Sequence, residues 1–176
     1  CHHFRTNPRL CAKLFDELPA KVVRRLLLQL SDKERELTAL LLGYEEDTAG
    51  RIMTPEYISL KENLTVADTL ERIRNLADVS EIVYYLYVTD AYRRLTGIVS
   101  LRDLVISSPE KLLSEIMTRD LISLHTNTDQ EEVARMIQRY DLLALPVVDK
   151  EDRLVGVVTV DDVIDILEQE ATEDIY

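Results

Sequence analysis

The sequence predicts a mixed α+β/α/β fold, in which a short all-α segment leads into two copies of a strand–helix–strand–strand–helix unit. Three observations predict it. Apolar residues before Gly43 recur at helical spacing. Beyond Gly43 the text alternates between short β-branched runs and amphipathic stretches. That alternating text also repeats itself almost literally.

In the first segment Leu14, Leu18, Val22, Leu26 and Leu30 share a helical face, with Pro19 marking a break or a first turn. Ser31 and Glu34 form a capping box that opens a further helix, running through Leu37, Leu40 and Leu41 to Gly43. So little helix cannot enclose a core. The segment 1–43 is therefore expected to be the end of a helical domain, in a piece of a longer chain that begins with Cys1 rather than Met.

The repeat starts just after. Ile52-Met53-Thr54 returns as Ile116-Met117-Thr118, and Ile58-Ser59-Leu60 returns as Ile122-Ser123-Leu124. Each copy then opens a helix with a capping box, Thr65 with Asp68 and Thr128 with Glu131. Each next reaches a strand closing on an aspartate: Tyr85 to Asp90 in the first copy, Leu145-Pro146-Val147-Val148-Asp149 in the second. A glycine-led strand follows, Gly97-Ile98-Val99-Ser100 and Gly156-Val157-Val158-Thr159. The early parts are offset by 64 residues and the late parts by 59, so the first copy carries five extra residues around Asp78–Val83. The boundaries read 1–43, 44–113 and 114–176, the last including the start of a further connecting helix.

Charge is uneven. Residues 1–43 hold eight Lys/Arg against five Asp/Glu, a net of +3, while residues 44–176 hold thirteen against twenty-eight, a net of −15. So acidic a body argues against nucleic acid and anionic lipid, and favours cations or plain solubility. No apolar run approaches the ~20 residues that span a bilayer, and no secretory signal is expected. Cys1, His2, His3 and Cys11 match no standard zinc spacing. The two cysteines are no disulfide framework and fit a reducing compartment. Catalysis finds little support: His125 is the only histidine outside the terminus, and four glycines leave no room for a phosphate-cradling run. A binding module, not an enzyme, is expected.

Acidic side chains crowd the last helix: Asp161, Asp162, Asp165, Glu168, Glu170, Glu173 and Asp174. Glu170, Glu173 and Asp174 fall at i, i+3, i+4 and share a face. At a helix C-terminus they oppose the macrodipole. Two carboxylates 4 Å apart repel by ~1 kcal/mol in water and ~4 kcal/mol at an effective dielectric of 20. Either this is a solvated acidic tail, or a divalent cation meets it; Mg2+ needs only a few carboxylates because it keeps several waters. Asp103 and Asp162 each stand three residues after a Ser or Thr at a helix start, which is a capping arrangement.

The doubled pattern Gly97…Ser100…Asp103 and Gly156…Thr159…Asp162 resembles the signature of CBS domains over roughly residues 52–168. That resemblance implies a tandem pair with pseudo-twofold symmetry, two clefts that often hold adenine nucleotides, and dimerisation through helices. A narrower resemblance is carried by Glu46 to Tyr57, Tyr84-Tyr85-Leu86-Tyr87-Val88, Asp129 to Arg135, and Val160-Asp161-Asp162-Val163 with Glu170 to Ile175. These stretches resemble the MgtE family of magnesium transporters and channels, from the last helices of its N domain to the end of its CBS pair.

The MgtE resemblance implies Mg2+ ligands at Asp162, Asp165, Glu170, Glu173 and Asp174, further ligands at Glu131 and Asp141, and a backbone carbonyl at Gly50. It also implies an ATP cleft made by Tyr85, Arg102 and Asp103, with Leu142 near its base. Arg102 would pair a phosphate and Tyr85 would stack on the purine, although Tyr84, Tyr85 and Tyr87 equally suit packing in a sheet. The expected partners are a second copy through the CBS domains and a membrane pore domain outside this chain, with no nucleic acid. The expected location is the cytoplasmic face of the inner membrane, and the expected function is magnesium sensing that closes the pore. The alternative is an adenine-nucleotide sensor that regulates an enzyme or another transporter.

Overall fold

The computed structural model describes residues 19–22, 25, 29, 31, 32, 42–55, 57–76, 85–164 and 168. The expected helices before Gly43, the five extra residues of the first copy and the acidic end of the last helix fall largely or wholly outside these. In chain order the elements are α1 (Ala49–Ile52), β1 (Ser59–Lys61), α2 (Val66–Leu76), β2 (Tyr85–Thr89), β3 (Leu95–Ser100), α3 (Leu101–Ile106) and α4 (Leu113–Ile116). Then come β4 (Leu124–His125), α5 (Gln130–Tyr140), β5 (Ala144–Val148) and β6 (Leu154–Thr159). Residues 160–164 begin a last helix.

Both copies build the same three-stranded sheet. The order is β1-β2-β3 in the first and β4-β5-β6 in the second. In each, the first pair is parallel and the second antiparallel, with Leu60 opposite Val88 and Leu124 opposite Val147. The parallel pair requires a crossover, and α2 and α5 supply it. Val66, Thr69 and Ile73 turn the buried stripe of α2 inward, while Val133, Ala134 and Ile137 do so for α5. Thr65 caps α2 as expected, its Oγ1 accepting from the Asp68 amide at 3.1 Å. In the second copy the cap is Asp129, one residue later than expected, accepting from the Glu131 amide at 2.8 Å. Thr128 is turned the other way, its Oγ1 accepting from the His125 amide at 3.1 Å. Both residues can cap; with the Thr128 hydroxyl engaged by the His125 amide, Asp129 takes the role.

Pro146 sits in the middle strand of its sheet, where a missing N–H is normally costly. Its counterpart Tyr87 donates only a long bond, 3.4 Å, to Ile58 O. Only Leu124 and His125 pair in β4, with Val147 and Val148, so Pro146 forgoes that one weak bond.

The copies exchange their lead-in segments. Thr118, which opens the second copy, exchanges both backbone bonds with Ile98 of β3, at 3.0 and 2.9 Å. Thr54, which opens the first, does the same with Val157 of β6, at 2.7 and 3.0 Å. Met117 thereby lies over Gly97 and Met53 over Gly156: a Cβ at either glycine would stand 2.4 Å from the methionine sulfur. The glycines of the repeated signature are thus packing necessities. Each sheet keeps its own core, around Leu60, Leu86, Val99 and Leu104 in the first and Leu124, Val133, Leu145 and Val158 in the second. A third cluster of Tyr87, Ala144, Leu154 and Val157 joins them. The two hairpin turns also dock, Leu95 N donating to Asp152 O at 3.0 Å and Leu154 N to Arg93 O at 3.1 Å.

Candidate functional site

The first candidate cleft is assembled at the start of α3. Ser100 leaves β3 with extended backbone and caps the helix: its Oγ accepts from the Asp103 amide at 3.1 Å, and Asp103 Oδ2 accepts from the Ser100 amide at 3.2 Å. The box locks Asp103 at the helix mouth with one carboxylate oxygen engaged. Tyr85, half-buried, lies directly across the ladder from Ser100. Arg102 is exposed beside Asp103. Three of the four expected nucleotide residues therefore converge. Leu142 comes from the other copy, two residues before β5, and packs against that copy's core.

Tyr87, next inward on the face of Tyr85, is fully buried, and among the described residues its hydroxyl has no hydrogen-bond partner. Burial above all, and secondly Tyr85, push this phenol far above its ordinary pKa. It is therefore a neutral donor. Sequence reading placed Tyr87 among possible packing residues and could not single out this buried hydroxyl.

The counterpart cleft opens at 160–164. Asp162 is only 6% exposed, and its Oδ2 accepts from the Thr159 amide at 3.1 Å. Of the capping box expected from the spacing, this bond from the Thr159 amide to the Asp162 carboxylate is present. The helix mouth is pinned further by Val160 N, which donates to Leu143 O at 2.8 Å.

Among the described residues, the candidate magnesium ligands do not gather in one place. Gly50 is buried beside the start of α5, its amide donating to Thr126 O at 2.8 Å. A Cβ there would strike the Tyr44 ring at 2.6 Å. Glu131 is exposed in the first turn of the same helix. Asp141 caps the opposite end in the left-handed region at φ 51°; ten residues of helix put it roughly 15 Å away. Among the described residues, no three acidic, His or Cys side chains stand together as a metal cluster. Asp165, Glu170, Glu173 and Asp174 lie outside the described residues, as do Cys1, His2, His3 and Cys11.

The family comparison agrees with the geometry. The CBS domain model matches residues 49–109 and again 113–169. The chain belongs to the CBS domain family, as a tandem pair. Within it, the chain is related to the MgtE magnesium transporters: it is 50% identical over 153 residues to magnesium transporter MgtE of Thermus thermophilus, covering 87% of this chain and 34% of that protein. With magnesium transporter MgtE of Bacillus subtilis it shares 40% identity over 163 residues, covering 93% of this chain and 36% of that protein. The chain thus spans about a third of the length of these relatives. Among solved structures it superposes on the cytosolic domain of the Mg2+ channel MgtE in complex with ATP, with TM-score 0.81 and 47% identity over 86% of this chain and 60% of that one. It also superposes on the soluble part of a magnesium transporter, with TM-score 0.87 and 41% identity over 94% of this chain and 64% of that one. These relatives are transporters rather than enzymes. No helix among the described residues is long and apolar enough to cross a membrane.

Proposed function

We propose that this chain is the magnesium-sensing regulatory region of an MgtE-type transporter, on the cytoplasmic face of the membrane, acting on a pore domain outside it. The observation that carries the reading is the distribution of acid: a net of −15 over residues 44–176, with Glu131 and Asp141 displayed on separate exposed surfaces rather than in a shared pocket. Carboxylates so placed suit ions held between one surface and another. Bare, these surfaces repel; with Mg2+ between them they are drawn together, the pair compacts and the pore closes. An ion that binds only the compact state favours it by ~2.7 kcal/mol at 100 times its dissociation constant. Asp162, Asp165, Glu170, Glu173 and Asp174 serve the same role toward the N domain and the connecting helix, and Gly50 offers its carbonyl.

The assembly is a homodimer through the CBS helices. Supporting this, Val105 and Ile106 on α3 are 70% and 72% exposed, next to Leu101 at 40%; such a patch seeks a partner.

ATP is the second ligand, and the convergence of Tyr85, Arg102 and Asp103 supports it. Tyr85 stacks on the base, Asp103 accepts from ribose hydroxyls and Arg102 meets phosphate. Calorimetric titration of Mg2+ and of ATP, each alone, tests both parts. Asp103→Asn keeps an oxygen for the Ser100 amide but loses the charge, and is expected to weaken ATP about tenfold while leaving Mg2+ binding unchanged. ATP binding without any direct Mg2+ binding would instead favour a nucleotide sensor that regulates an enzyme.

A further inference from the structure

The two copies are not equivalent where their lead-in segments cross the hairpin turns. In the first, Tyr57 reaches over the opposite turn and donates its hydroxyl to Leu154 O at 2.9 Å, with the Arg93 side chain beside it. Applying the repeat offsets, the second copy has Leu121 in place of Tyr57, Arg119 in place of Pro55 and Asp152 in place of Arg93. The shorter side chain leaves a cleft of about 420 Å³ there, whose lining includes Leu95, Leu121 and Val148 as its apolar part. That volume falls within the range of small-ligand sites.

The polar lining divides into spent and unspent groups. Asp90 accepts from the Tyr92 and Arg94 amides at 2.8 and 3.0 Å and from Arg94 Nε at 2.8 Å, so Arg94 is already ion-paired within its own turn. Thr96 donates to Val88 O at 3.2 Å. Among the described residues Arg119 makes one side-chain bond, Nη2 to Ser114 O at 3.2 Å, and no ion pair, which leaves most of its guanidinium donors unused. Among the described residues, the Asp152 carboxylate and the Ser123 hydroxyl have no partner, and Arg119 and Asp152 are not paired with each other. Outside the Asp90–Arg94 ion pair, one cation, one anion and one hydroxyl thus line the cleft beside its apolar patch.

We propose that this cleft binds a small zwitterion with an apolar side chain, a free α-amino acid. Its carboxylate meets Arg119, its ammonium meets Asp152, and its side chain takes the space that the Tyr57 ring fills in the other copy. The site is separate from the candidate ATP cleft: it lies at the hairpin-turn end of β3, whereas Ser100 and Asp103 lie at the other end.

The test is calorimetry and thermal melting of the 176-residue chain with L-phenylalanine and L-leucine. N-acetyl-L-phenylalanine and L-phenylalaninamide, each lacking one charge, serve as controls. The free amino acids are expected to bind and raise Tm, and each control to bind at least about tenfold more weakly, the loss of one charge-assisted hydrogen bond. Asp152→Asn should erase the discrimination against the N-acetyl compound, and Arg119→Gln the discrimination against the amide. Leu121→Tyr, which copies the first groove, should abolish binding without lowering Tm. Absence of binding at millimolar amino acid, equal binding of the controls, or full binding by a folded Leu121→Tyr protein would each overturn the proposal. Should Leu121→Tyr fail to fold, the matched control compounds with the Arg119 and Asp152 variants still decide it.

Discussion

Gly97 and Gly156 show how a single residue type serves packing where a motif suggests chemistry. Each lies under a buried methionine from the neighbouring lead-in segment, and the nearest atoms to an added Cβ run along the whole side chain from Cβ to Sδ. Gly97→Ala is therefore expected to cost about 1–3 kcal/mol through overpacking, read from urea unfolding midpoints at constant m-value. A cost near zero would show that Met117 swings aside freely. Asp90 and Asp149 act at the same scale, each tying its own hairpin turn. Desolvation works to raise Asp149, but the amides of Arg153 and Glu151 and the Arg153 guanidinium outweigh it and hold the carboxyl below its ordinary 3.8. A depressed folded pKa means stability that is complete above the ordinary value and lost as the pH falls through the lower folded one. Asp149→Asn should accordingly flatten the fall in Tm below about pH 4, and an unchanged acid limb would contradict the assignment.

The elements were the most legible part of the sequence. Ile52-Met53-Thr54 and Ile116-Met117-Thr118 announce the two copies, and the Ser100–Asp103 and Thr159–Asp162 spacings announce the helix mouths that the structure shows. The cap of α5 was displaced by one residue because Thr128 and Asp129 both offer oxygen at the right place. The exchange of lead-in segments between copies was not legible, since local spacing carries no trace of a pairing such as Thr54 with Val157. The same holds for the cleft beside Leu121: its signal is a Tyr-to-Leu difference between aligned copies, which means little until the turns are seen to dock. Of the candidate nucleotide residues, the neighbourhood of Tyr85 and Asp103 followed from strand pairing; the distance between Glu131 and Asp141 followed from one helix. At this scale the exposed face of α3 makes its own prediction. Val105→Glu with Ile106→Glu should shift the chain to monomer in sedimentation at unchanged helix content. A dimer that survives would place the interface elsewhere.

At the scale of the whole molecule, the balance of charge is the dominant feature. The CBS pair is held together by two apolar cores, a third cluster between the sheets and an exchange of backbone bonds. Its assembly is another matter: twenty-eight carboxylates against thirteen cations beyond residue 43 oppose close approach of copies and domains. Monovalent salt screens such repulsion over a Debye length of ~8 Å at physiological strength, but it does not bridge. A divalent ion does both, which distinguishes the two in one experiment. Small-angle scattering in millimolar MgCl2, against NaCl of equal ionic strength, is predicted to give a smaller radius of gyration only with Mg2+. Superimposable curves in the two salts would contradict the account.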